Sequence, residues 1–168
     1  MVVLDAQLPL TEEITIDSAD IDVLKNTRSR LRVGASLTRQ QLLRLALMSS
    51  ENRAAAALGR AYPGGIGAFV AAMNDKAFEL GMGNSYFVDS TGLSSTNVST
   101  ARDLVKMVEA AYGYDLIRKF STTSAHAVEL ADDRRSMQFI NSNNLVRSGN
   151  WQINVSKTGF LSEAGRCL

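Results

Sequence analysis

The sequence predicts an α+β domain in which a mostly helical part precedes a smaller set of strands. Two observations predict this class. Apolar residues recur at helical spacing in several segments before residue 121, whereas segments after it alternate apolar and polar residues. The composition, 45% hydrophobic and 21% charged, is that of an ordinary globular domain. We therefore expect one domain whose sheet is only partly present.

The first half of the chain contains the clearest helix signals. Residues 1–37 carry short apolar stretches between polar segments, which predict the end of a helix and then short extended pieces. Thr38 with Gln41 forms a capping box and predicts a helix over about 38–48. Helix formers resume at Arg53, so two helices should meet at a polar corner, Ser49 to Asn52.

Three further helices and one strand follow. The helical spacing over Ile66 to Leu80 predicts the first of these helices, and Thr100 opens another. The apolar face expected for that second helix consists of Leu104, Val105, Met107, Val108 and Ala111. A short helix should run from Tyr114 to Phe120, and the alternation in Trp151 to Val155 predicts a strand with one buried face, directly before Lys157.

Charge and cysteine content exclude several kinds of protein. Eighteen basic and seventeen acidic residues give a net charge of +1 with no long run of one sign. This gives no case for a nucleic-acid-binding protein, whose footprint would be a strongly basic face. Cys167 is the only cysteine. His126, the only histidine, lies in a polar segment typical of the surface. No grouping of His, Cys or carboxylate residues has metal-ligand spacing. We expect no disulfide, no metal and no other cofactor.

The first residues do not predict a targeting segment. Asp5 interrupts the apolar run that begins the chain, so we expect no secretory signal there. No apolar stretch approaches the length of a transmembrane span.

Two short motifs could carry chemistry. Ser50-x-Asn52 lies at the polar helix corner, and Lys157-Thr158-Gly159 follows the predicted strand. Each motif alone has an ordinary explanation: Ser50 or Asn52 could cap the next helix, Lys157 could be solvated, and Gly159 could be a turn residue. Glu51, which lies between Ser50 and Asn52, is expected to be a solvated side chain. The order of the two motifs and the helical region between them make a site the better interpretation.

Longer segments resemble one enzyme family. These segments are LALMSSENRAAA (45–56), FVDSTGLSSTNVSTARDL (87–104), NSNNL (141–145) and KTGFLSEAGRCL (157–168). They resemble the low-molecular-mass penicillin-binding proteins that act as D-alanyl-D-alanine carboxypeptidases and endopeptidases, and the Ser-Glu-Asn motif is most similar to the endopeptidase branch. The resemblance implies a penicillin-binding/β-lactamase-like transpeptidase fold, present here as a mostly helical lobe plus part of the antiparallel sheet.

One family motif is absent from these 168 residues. The family attacks its substrate with the serine of a Ser-x-x-Lys motif, but no serine here is followed three residues later by lysine. The resemblance implies that this motif precedes Val2, and that further strands and a closing helix follow Leu168. We therefore expect residues 1–168 to be a partial penicillin-binding peptidase domain that contains no nucleophile and is inactive alone.

The resemblance also implies roles for the residues that are present. Ser50 would relay a proton between the nucleophile and the leaving amine, while Asn52 would hydrogen-bond the motif lysine or the substrate amide. Lys157 would orient the substrate's terminal carboxylate, to which the Thr158 hydroxyl would also donate. Gly159 would leave room for the substrate backbone along the strand edge.

The N–H of Phe160 would form half of the oxyanion hole. The implied reaction is hydrolysis of D-Ala-D-Ala bonds through an acyl-enzyme during cell wall remodelling in the periplasm. The implied partners are peptidoglycan stem peptides and, in the intact enzyme, β-lactams.

Two other interpretations stay open. The chain could be a non-catalytic module that binds stem peptides or scaffolds other wall enzymes. It could also be a truncated product without function, in which apolar sheet edges and helix faces are exposed. The first interpretation, a peptidase site, requires Ser50 and Lys157 to share one cleft.

Overall fold

The computed structural model describes residues 1–129 and 136–167, with side chains up to Gly165. In these residues, six of the seven α-helices lie before residue 122 and four of the six strands lie after it, as predicted. The helices are α1 Val2–Asp5, α2 Arg39–Met48, α3 Asn52–Arg60, α4 Gly65–Glu79, α5 Ala101–Tyr112, α6 Asp115–Ser121 and α7 Asn144–Ser148. The strands are β1 Glu13–Thr15, β2 Ser36–Thr38, β3 Ala125–Glu129, β4 Ser136–Ile140, β5 Gly159–Leu161 and β6 Gly165–Cys167.

Helix α2 is the centre of the helical lobe. The Thr38 side chain accepts a hydrogen bond from the Gln41 N–H, and the Gln41 side chain accepts one from the Thr38 N–H, so the predicted capping box is present. Leu42, Leu45 and Met48 are fully buried on this helix. Helices α3 and α6 pack against it and complete the core that supports the polar corner after residue 48.

The strands form three separate antiparallel pairs in the described residues. β1 pairs with β2, β3 with β4, and β5 with β6. The antiparallel pairing was expected, but the predicted strand at Trp151 to Val155 was wrong. That segment is irregular, and the Trp151 side chain is 67% exposed. No described strand pairs with it, and alternation alone cannot supply the hydrogen-bonding partner that a strand requires.

The apolar face of α5 is only partly covered. The helix forms as predicted, with Thr100 accepting from the Asp103 N–H. However, Leu104, Val105 and Val108 are 39%, 56% and 51% exposed, so the predicted apolar face is not buried at these side chains. Helical periodicity predicts which side chains share a face, whereas burial depends on what packs against it.

Two charged contacts tie the N-terminal segment to the helices. The buried carboxylate of Asp20 accepts two hydrogen bonds of 2.9 Å from the Arg60 guanidinium on α3. Arg39, which is 1% exposed at the start of α2, donates to Glu12 at 2.6 Å. Both pairs hold the segment before β2 against the lobe.

His126 is half-buried, which corrects the expectation of a surface histidine. The Arg44 guanidinium on α2 lies 2.8 Å from His126 Nδ1 and stacks 4.5 Å from the centre of the Phe120 ring. Desolvation, with the nearby charge of Arg44, lowers the pKa of His126 below its usual value of 6.5. The imidazole is therefore neutral at pH 7, and a neutral ring nitrogen can accept from the guanidinium.

Within the described part of the chain, none of the helices combines the length and hydropathy needed to cross a membrane.

Candidate active site

The polar corner between α2 and α3 is a sharp turn centred on Ser50. The N–H groups of Ser49 and Glu51 both donate to the Leu45 carbonyl oxygen, at 3.1 and 3.2 Å. Ser50 adopts φ +53°, a left-handed conformation that is unusual for a residue with a side chain. The turn directs the Ser50 hydroxyl into the cleft described below.

Glu51, and not its neighbours, caps α3. Its side chain accepts from the Arg53 N–H at 3.3 Å, and the residue is only 9% exposed. This corrects the expectation of a solvated Glu51. It also removes the capping explanation for Ser50 and Asn52, since the cap position is already filled.

The structure brings Ser50 and Lys157 into direct contact across 107 residues. Lys157 Nζ lies 2.6 Å from Ser50 Oγ and 2.7 Å from the Thr158 carbonyl oxygen. An ammonium group can only donate, so the Ser50 oxygen is the acceptor of this bond. The serine hydrogen is thereby left for another acceptor, and the Thr158 carbonyl oxygen lies 3.3 Å away.

Lys157 is desolvated without a compensating carboxylate. Desolvation lowers the pKa of its ammonium from 10.5 to about 8, although the residue as a whole is exposed. Among the described residues, no carboxylate lies within ion-pair distance of it. A positive charge held this way favours binding of an anionic group in the cleft.

Asn52 contacts a residue that the sequence did not single out. Its Nδ2 donates to Thr27 Oγ1 at 3.0 Å, and the Thr27 hydroxyl donates to Asp22 at 2.7 Å. Burial raises the pKa of Asp22, but hydrogen bonds from Thr27 and two neighbouring N–H groups outweigh it and lower the pKa to about 2. The hydrogen bonds that run from Asp22 through Thr27 fix the orientation of the Asn52 side-chain amide.

These groups line one cleft of about 680 Å³. Its lining residues are Thr27, Ser50, Asn52, Thr91, Gly92, Leu93, Ser142, Asn143, Asn144, Leu145, Lys157, Thr158, Gly159, Phe160, Leu161, Ala164 and Gly165. The structure therefore gathers all six predicted site residues around the same space. Strand β5 begins at Gly159, so Lys157 and Thr158 lie just before a strand and not on one.

Ser142 is a site residue that sequence reasoning missed. Its Oγ lies 2.5 Å from Thr158 Oγ1 and 3.4 Å from Ser50 Oγ. The segment NSNNL, which contains it, contributed to the family resemblance, but serine occurs seventeen times in the chain and nothing marked this one. Only the fold brings the loop after β4 to the motif residues.

The loop that contains Gly92 also lines the cleft. The Asp89 carboxylate accepts from the N–H groups of Thr91 and Gly92, both at 2.6 Å, and from that of Ser94 at 3.0 Å. Asn97 adds a further bond at 2.7 Å. Asp89 thus holds a wall of the cleft that has no regular secondary structure.

Among the described residues, no group of three or more His, Cys, Asp or Glu side chains could hold a metal. The Cys167 side chain lies outside those described. The lining of the cleft instead offers one ammonium, five hydroxyls and three side-chain amides. This set can bind a carboxylate and pass a proton between hydroxyls, which suits acyl transfer better than metal chemistry.

The fold around this cleft is that of the penicillin-binding DD-transpeptidases. The crystal structure of the Streptomyces K15 DD-transpeptidase superposes with a TM-score of 0.90 at 32% identity, covering 99% of this chain and 69% of that one. A D-alanyl-D-alanine carboxypeptidase from Mycobacterium tuberculosis superposes at 0.82 with 27% identity, covering 98% and 61%. The predicted fold class is confirmed.

The chain belongs to the D-alanyl-D-alanine carboxypeptidase family, which matches residues 1–168. It is 49% identical to the D-alanyl-D-alanine endopeptidase of Escherichia coli and 48% identical to that of Pseudomonas aeruginosa. Each match covers all of this chain and 54% of the relative. The chain thus spans about half the length of these curated relatives. The predicted family is confirmed, while the roles of individual site residues stay predictions.

Proposed function

We propose that this chain carries the Ser-x-Asn and Lys-Thr-Gly part of the active site of a serine D-alanyl-D-alanine peptidase. The enzyme cleaves peptidoglycan stem peptides through an acyl-enzyme, and β-lactams acylate the same nucleophile. The observation that carries this proposal is the 2.6 Å contact between Lys157 Nζ and Ser50 Oγ in a cleft that both motifs line. The family relationship gives the reaction class.

The contacts support a separate role for each of these residues in the cleft. Lys157 attracts the terminal carboxylate of the peptide, and Thr158 adds a hydroxyl donor toward it. Ser50, which accepts from the ammonium, passes a proton toward the leaving amine. Asn52 orients the reacting groups, and the Phe160 N–H at the start of β5 supplies one donor of the oxyanion hole. Gly159 leaves the strand edge free for the substrate backbone.

Fluorescent penicillin tests the acyl-transfer part of the proposal. The 168 residues contain no Ser-x-x-Lys sequence, so we expect the chain alone to give no covalent band on a denaturing gel. A longer product that includes a Ser-x-x-Lys segment encoded upstream should be labelled. In that product, Lys157→Ala should slow labelling at least tenfold, because a charge-assisted contact is lost. Covalent labelling of the chain itself would refute the assignment of the nucleophile to another segment.

The groups that line the cleft also fit a second candidate, a module that binds stem peptides without cleaving them. This function needs only the ammonium, the hydroxyls and the strand edge. It predicts reversible, carboxylate-dependent binding of a D-alanyl-D-alanine peptide that Lys157→Ala abolishes. A titration without a saturable signal would eliminate it.

We propose a periplasmic location for the protein, because its proposed substrate belongs to the cell wall. Fractionation of cells that express the intact gene product tests it. Recovery with the cytoplasmic fraction would contradict the proposal.

A further inference from the structure

Three hydroxyl groups meet beside the Lys157 ammonium, and the proposed function uses only two of them. Ser142 Oγ, the third, lies 2.5 Å from Thr158 Oγ1. It also lies 3.4 Å from Ser50 Oγ and 3.3 Å from the Met48 carbonyl oxygen. Its position between the two motifs requires an explanation.

The backbone around Ser142 is fixed by two buried asparagines. Asn141, 2% exposed, donates through its amide to the carbonyl oxygens of Ser121 and Thr123, at 2.9 and 2.8 Å. Asn143, 7% exposed, donates to the Ser156 hydroxyl at 2.9 Å, next to Lys157. Buried side-chain bonds of this kind restrict the backbone strongly.

Ser142 itself is attached to the end of α2. Its N–H donates to the Met48 carbonyl oxygen at 2.8 Å, so the loop is tied to the same helix that precedes Ser50. The serine therefore stands on a rigid platform joined to both motifs. Only the Ser142 hydroxyl can still rotate between different hydrogen-bond partners.

The number of hydrogens decides what Ser142 can do. A hydroxyl donates one hydrogen, and Ser142 has three possible acceptors in reach: the Met48 carbonyl oxygen, Thr158 Oγ1 and, at 3.4 Å, Ser50 Oγ. If Ser142 donates to the Met48 carbonyl oxygen, Thr158 must supply the hydrogen in the short contact between Ser142 Oγ and Thr158 Oγ1. If Ser142 donates to Thr158, the Thr158 hydrogen is free for a ligand oxygen.

We propose that Ser142 is a positioning residue whose hydroxyl donates to Thr158 and so directs the Thr158 hydrogen at the terminal carboxylate of a D-alanyl peptide. The inference rests on the proposed function and deepens it. It gives the cleft a preference for a carboxylate, which accepts hydrogen bonds only, over a carboxamide, which presents donors at the same place.

Titration of the 168-residue chain with two peptides tests this role. One is an N-acetylated peptide ending in D-alanyl-D-alanine, and the other is the same peptide with a C-terminal amide. Ser142→Ala should weaken binding of the carboxylate peptide about 3- to 10-fold, the usual effect of one hydrogen bond. Binding of the amide should change less than twofold, so the selectivity falls.

Two further variants separate positioning from a general loss of structure. Ser142→Thr keeps the hydroxyl and should restore most of the selectivity. In a Thr158→Val background, Ser142→Ala should have no additional effect, since its target is gone. Ser148→Ala serves as the matched control, because that hydroxyl lies in the same segment but bonds Leu145 and does not line the cleft.

The outcomes distinguish the two levels of the proposal. If the unmodified chain shows no preference for the carboxylate peptide, the proposed function fails and the inference with it. If the preference exists but Ser142→Ala leaves it intact, or weakens both peptides equally, only the role of Ser142 is refuted.

Discussion

The affinity of the cleft for a D-alanyl-D-alanine peptide should fall as the pH rises through about 8. Desolvation lowers the pKa of Lys157 to that value, and only its charged form attracts the peptide carboxylate. At pH 10, two units above this pKa, about one molecule in a hundred keeps the charge, so the apparent affinity should be about 100-fold below its plateau. A lysine with an ordinary pKa near 10.4 would lose only about 1.4-fold at the same pH.

Calorimetric titration from pH 6.5 to 10 measures this dependence. The peptide carboxylate stays ionised throughout, so the titrating group belongs to the protein. Lys157→Arg provides the control, because a guanidinium stays charged over the whole range. Its absolute affinity should be lower, owing to the different shape of the group, but its slope above pH 8 should vanish. Thermal melting at each pH verifies that the chain remains folded.

Two results would refute the reasoning about Lys157. Constant affinity up to pH 9.5 would mean that its pKa is not lowered or that its charge does not contribute to binding. An unchanged slope in Lys157→Arg would assign the titration to another group. NMR of lysine labelled at the ε carbon gives the pKa directly and separates the first two explanations.

Three further predictions concern stability. The pKa of His126 is lowered on folding, so stability should decline as the pH falls through the unfolded value of about 6.5, and His126→Gln should reduce this decline in denaturation at pH 7.5 and 5.5. Asn141→Ala should lower the free energy of unfolding by about 2–4 kcal/mol, because one buried and one partly buried carbonyl group lose their donor. A loss under 1 kcal/mol in urea denaturation would contradict this. Gly59→Ala should destabilise the fold, since the added Cβ would lie 2.9 Å from the Ser90 Cβ. Gly67→Ala, where the added Cβ meets open space, should instead stabilise the fold by about 0.5–1 kcal/mol. Equal melting temperatures for the two variants would refute the steric argument.

The helices could be predicted from the sequence because their signals are local. The capping hydroxyls of Thr38 and Thr100 each reach an N–H three residues on, and both helices begin where these residues indicate. Strands require partners, and the alternation in Trp151 to Val155 contains no information about one. The β3–β4 ladder shows the converse, because β3 was not predicted and is defined by its register with β4.

The candidate site likewise contains residues that the sequence predicted and residues that it did not. The motif order predicted that Ser50 and Lys157 would lie in one cleft, and the structure places them in contact. Thr27 and Ser142 were missed because neither belongs to a motif and their partners lie 25 and 16 residues away. Hydroxyl residues are frequent in this chain, so residue type gives no signal until the fold selects particular ones.

The cleft is also where the chain departs from the preferences of its own residues. Ser50 adopts a left-handed conformation that costs about 1 kcal/mol for a residue with a side chain, and Lys157 is desolvated without a carboxylate partner among the described residues. By contrast, the buried carboxylate of Asp20 receives two hydrogen bonds from Arg60. A stability requirement would favour glycine at position 50. Because the two unfavourable features meet at one contact, binding or catalysis at that contact explains them better than stability does.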